Sequence, residues 1–90
     1  MLDVSELEAP LPLQRALSAA NKLKNGEYVK MVHRMRPCHL FANLPNLGVW
    51  WLDFEVDKDE YLIFMAKADD RPTKEFVRGV IADEYGRTFA

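Results

Sequence analysis

Residues 49–56 and 61–66 are apolar on both of their alternating faces, and no other feature constrains the fold of this chain as strongly. Trp50, Leu52, Phe54 and Val56 alternate with Val49 and Trp51, while Leu62 and Phe64 alternate with Tyr61, Ile63 and Met65. Successive side chains on a strand point to opposite faces, and aromatic and β-branched residues favour that geometry. Asp57-Lys58-Asp59-Glu60 is a short polar connection, so the two stretches form an antiparallel hairpin. A hairpin that is apolar on both sides needs cover on both sides. The rest of the chain has to supply it, because ninety residues make a single domain that buries only about two-thirds of its unfolded surface.

The remaining elements are predicted as follows. Leu2 and Val4 flank Asp3 in the alternation of a short strand. A helix follows over residues 10–24, with Leu13, Ala16, Leu17, Ala20 and Leu23 on one face. Proline suits its first turn, where an amide would be unpaired anyway, and Asn25-Gly26 supplies the left-handed residue that ends it. Residues 27–33 read as a second strand, parallel to the first because a helix separates them. Pro37 opens a short second helix with Leu40, Phe41 and Leu44 on one face, closed by Pro45 and Gly48. The order βαβαββ gives an α+β two-layer sandwich, two helices on one face of a four-stranded mixed sheet. The second face is left for a third helix over residues 72–85, which carries Phe76, Val77, Val80 and Ile81 at helical spacing. Residues 1–68 thus form the domain proper. Residues 69–90 form a helical extension that packs on the same domain or on the partner in a homodimer.

Four short motifs fall in order on these elements: Leu2-Asp3-Val4, Pro10 and Pro12, Gly26-Glu27, and His33 with Pro37. Together they resemble the TusA/SirA-like domains, and most closely a TusA-like subgroup of unknown function, some members of which occur beside hemerythrin-like domains. The resemblance covers residues 2–67. The sulfur carriers of that family open their first helix with Cys-Pro-x-Pro, whereas this chain has Ala9-Pro10-Leu11-Pro12. Alanine can neither hold sulfur nor cap the helix with a side-chain acceptor. Pro10 and Pro12 are retained as a structural helix start, and the resemblance implies a carrier fold without the carrier thiol.

Chemistry-bearing residues concentrate elsewhere, between the second strand and the second helix: His33, Arg34, Arg36, Pro37, Cys38 and His39. His33, Arg36, Cys38 and His39 are the candidate ligand-binding residues, with the start of the first helix expected nearby. Cys38 is the single cysteine, which excludes an internal disulfide and fits a reducing cytoplasm. Arg36 and His39 beside it would favour a thiolate, so Cys38 is the candidate for sulfur handling or redox work. Its simplest reading is a small buried hydrophobe. Histidine and thiolate suit zinc, copper or iron, but the spacing is that of no recognised zinc site. With Lys30 the cluster makes a local basic patch suited to a small anion such as phosphate or carboxylate.

The remaining charge argues against other classes. A net charge of −2 offers no basic face for nucleic acid, and no apolar run reaches the ~18 residues of a membrane span. The acidic residues Asp53, Glu55, Asp57, Asp59 and Glu60 read as a solvated turn rather than an acid–base pair. No catalytic constellation is complete and no cofactor is implied. The sequence points to a cytoplasmic, non-catalytic binding or interaction module for a protein partner or a small anionic ligand. The alternatives are a sulfur-relay or redox protein using Cys38, and a metal- or haem-linked accessory protein.

Overall fold

The computed structural model describes residues 1–88. Its elements are β1 (Leu2–Asp3), α1 (Leu11–Asn21), β2 (Tyr28–His33), α2 (Cys38–Asn43), β3 (Val49–Asp57), β4 (Glu60–Lys67) and α3 (Arg71–Tyr85), with a 3-10 turn at Pro45–Leu47 after α2. The α+β order is the one the sequence predicts, with a four-stranded mixed sheet. The last two residues of the expected 69–90 extension lie outside the described residues.

The sheet order is β1-β2-β4-β3. β1 pairs parallel with β2, and β4 pairs antiparallel with both β2 and β3. β4 therefore returns between two strands that run the same way, and it is the most deeply buried element, with Leu62, Ile63, Phe64, Met65 and Ala66 all in the core. Alternation along the hairpin sorts its side chains into two cores. Val49, Ile63 and Met65 join Met31 of β2 beneath Ala16 and Ala20 of α1, Leu40 and Phe41 of α2, and Leu44 just after it. Phe54, Leu62 and Phe64 face the other way and pack against Val77 and Ile81 of α3, with Trp50, Leu52 and Val80 around them. The third helix thus covers the second face within its own chain, adding a third layer to the sandwich.

Several boundaries and one face differ from expectation. α1 ends at Asn21 rather than near Lys24. Lys22 and Leu23 close back on Ala19 and Ala20 in a tightened last turn, and Gly26, at φ +88°, serves the following turn instead. Phe76, expected on the buried face of α3, is 59% exposed; its ring sits 5.9 Å from Tyr28 at the start of β2. Val77 and Ile81, four residues apart, take the centre of the face.

Asp70 holds α3 in place. Its carboxylate accepts from Thr73 N at 3.3 Å as the helix cap and from Gly26 N at 2.6 Å across the chain. The Gly26 amide first, then Thr73, hold the Asp70 pKa below the ordinary carboxylate value. At the other end Gly86, at φ +65°, terminates the helix, and Arg87 donates to the Glu55 carbonyl at 2.9 Å and lies over Phe54.

Gly79 is the weak point of α3, and no atom lies within 4 Å of where its Cβ would stand. Replacing glycine by alanine inside a helix stabilises it by about 1 kcal/mol. Gly79→Ala is therefore expected to raise the melting temperature by about 4–8 °C, read by thermal circular dichroism.

Candidate functional site

The start of α1 and the segment joining β2 to α2 face each other across an open cleft of about 420 Å³, within the range of small-ligand sites. Its floor is built from buried or half-buried apolar groups, Leu7, Pro12, Leu13, Ala16, Met31 and Leu40. Both parts of the sequence singled out above meet here. Ala9, Pro10 and Pro12 line one side, and His33, Arg34, Arg36, Pro37, Cys38 and His39 line the other.

The α1 side is poor in donors. The Ala9–Pro10 peptide is cis, and Pro10 occupies the cap position with no side-chain hydrogen bond. Leu11 N donates to the Glu8 carbonyl at 3.0 Å and Gln14 N to the Pro10 carbonyl at 3.1 Å, while Pro12 has no amide to offer. This turn presents carbon to the cleft.

The other side hangs on His33, which ends β2 and is only 6% exposed. Its Nδ1 accepts from Arg34 N at 2.8 Å and from Met35 N at 3.4 Å, folding the chain sharply away from the sheet. An accepting Nδ1 puts the proton of the neutral ring on Nε2. Burial first, and the Arg34 charge second, push the His33 pKa below that of an ordinary histidine. The unfolded chain then binds a proton near pH 6.5 while the folded protein binds it only at lower pH. Stability from this ring is complete above 6.5 and is lost as pH falls through the folded value. Urea midpoints are expected to fall on acidification below pH 6.5. His33→Asn, which keeps an acceptor in place of Nδ1, should flatten that dependence.

Arg36 is fixed by Asp53 on β3, whose Oδ2 accepts from Nε at 2.8 Å. The Asp53 hydrogen bond raises the Arg36 pKa, and the guanidinium also lies over the Phe41 ring at 5.1 Å. Asp53 is thus no part of a solvated turn. Val49, Trp51 and Asp53 alternate onto the helix-covered face, so the parity of the strand carried the signal that a reading by cluster missed. Trp51 stacks on Phe41 at 5.0 Å, closing the wall behind Arg36. Arg34, part of the basic cluster but not one of the candidate ligand-binding residues, also lines the cleft, as does Met35, which is 54% exposed.

Cys38 is exposed at the mouth of the cleft, not buried as its simplest reading had it. It is the first residue of α2, and the helix turns Leu40, Phe41 and Leu44 to the core, leaving positions 38 and 39 outside. Cys38 N donates to the Arg36 carbonyl at 3.0 Å. Among the described residues no three His, Cys, Asp or Glu side chains group as a metal site, so His33, Cys38 and His39 do not form one. No described helix is long and apolar enough to cross a membrane.

Compared with known proteins, the chain matches no family model, no curated protein and no solved structure.

Proposed function

We propose that this chain is a cytoplasmic TusA-like domain that has given up sulfur-carrier chemistry and works as a non-catalytic binding module. The supporting observation is the cleft itself. Ala9, which stands where the carriers have their cysteine, lines it together with the β2–α2 segment, so the place of the lost thiol is an apolar concavity. Buried carbon on the floor and a few polar groups at the edge are the usual make-up of a binding pocket. Pro10 and Pro12 keep a structural role, since Pro12 is buried in the α1 start and forms part of the floor.

A second reading has one specific observation in its favour, the exposure of Cys38 at the same cleft. There a Cys38 thiolate would attack the outer sulfur of a donor persulfide, forming a new S–S bond while the donor leaves as its thiolate. That role requires a thiol activated by its surroundings. Alkylation by iodoacetamide at pH 7 separates the two readings. A binding module is expected to react no faster folded than unfolded in urea. An acceleration of tenfold or more in the folded protein would transfer the site to Cys38 chemistry.

A further inference from the structure

We infer that the ligand of this cleft is a small amphiphilic acid, whose apolar body lies on the floor and whose carboxylate meets Arg34. The inference rests on the binding reading above and adds the chemical class of the ligand. The chain carries more acidic than basic residues, 14 against 12, yet among the described residues no aspartate or glutamate lines the cleft. Its ionisable lining is Arg34, Arg36, His33, Cys38 and His39.

The two arginines are not equivalent. Arg36 is held by Asp53 at 2.8 Å and rests on Phe41. Arg34 makes no ion pair with any described carboxylate, and its charge is felt by His33 in the cleft wall. An exposed cation beside an apolar floor, with acidic groups kept out, complements an anion carrying a hydrocarbon body. A guanidinium also matches a carboxylate in geometry, with two parallel N–H donors. A cationic amphiphile would instead meet the unpaired charge of Arg34.

Hexanoate, 1-hexanol and hexylammonium share one apolar body and differ in charge. Titrated into the ¹⁵N-labelled protein at low salt, hexanoate is expected to bind about fivefold more tightly than hexanol. Hexylammonium should bind most weakly. Arg34→Ala should bring hexanoate to the level of hexanol and leave hexanol unchanged, and added salt should narrow the gap in the wild type. Melting curves of the variant confirm that it remains folded. Equal binding of all three probes would overturn the charge selection while leaving the cleft a binding site. Tighter binding of hexylammonium, or an unchanged preference in Arg34→Ala, would overturn the inference outright. Binding of none would remove the small-molecule ligand, and the alkylation test of Cys38 would still decide the role of the site.

Discussion

A chain ending at Ala68 is expected to lose its cooperative thermal transition and to associate at micromolar concentration. The cause is the second face of the sheet. Leu62 and Phe64 of the central strand, and Phe54 beside them, are buried only because Val77 and Ile81 lie on top. Full burial of a side chain such as Val77 or Ile81 contributes about 1.5–3 kcal/mol, and uncovering the strand residues removes comparable amounts. A domain of this size has only about 5–15 kcal/mol to lose. Sedimentation velocity and thermal circular dichroism of residues 1–68 measure the effect. A soluble monomer as stable as the full chain would show that α3 is dispensable and that the face needs no cover.

The second large effect is expected at Phe64. It is fully buried in β4 and lies near Tyr28, Phe54 and Tyr85, at centroid distances of 6.3, 6.3 and 6.5 Å. Phe64→Ala removes a ring from the middle of this aromatic group, and such truncations cost about 3–5 kcal/mol through lost burial and the cavity left behind. The urea midpoint should fall accordingly. A loss below about 1 kcal/mol would mean that the layer between sheet and α3 collapses to fill the space.

Both predictions concern features already legible in the sequence. The two-faced alternation of residues 49–56 and 61–66 required cover on each side, and the spacing of Val77, Val80 and Ile81 identified what supplies the second cover. The same parity holds in β2, where Val29 and Met31 join the helix-covered core and Val32 the core under α3. Strand parity is a local property, so it survives without knowledge of the fold.

What escaped depended on contacts between distant segments. The nearness of the α1 start to the β2–α2 segment is the exception, legible from the order of the elements: parallel pairing of β1 with β2 sets the start of α1 beside the end of β2, and both line the cleft. The exposure of Cys38 follows from which side of a six-residue helix faces the core, and so short a helix leaves periodicity little to work with. Phe76 falls off the buried face because a helix four turns long offers two overlapping apolar stripes, and docking on the sheet chooses between them. Asp53 stands among acidic neighbours along the chain, whereas its partner is Arg36, seventeen residues earlier.

The four methionines provide a direct test of the central claim that the cleft between α1 and the β2–α2 segment is a binding site. Met31 and Met35 line it; Met65 is buried in the same core and Met1 is exposed, and neither lines the cleft. With ¹³C-methyl methionine and the uncharged probe 1-hexanol, the Met31 and Met35 resonances should move together and saturate, while those of Met1 and Met65 stay in place. Resonances that drift without saturation, or a saturable response at Met1 or Met65 with Met31 and Met35 unmoved, would contradict it.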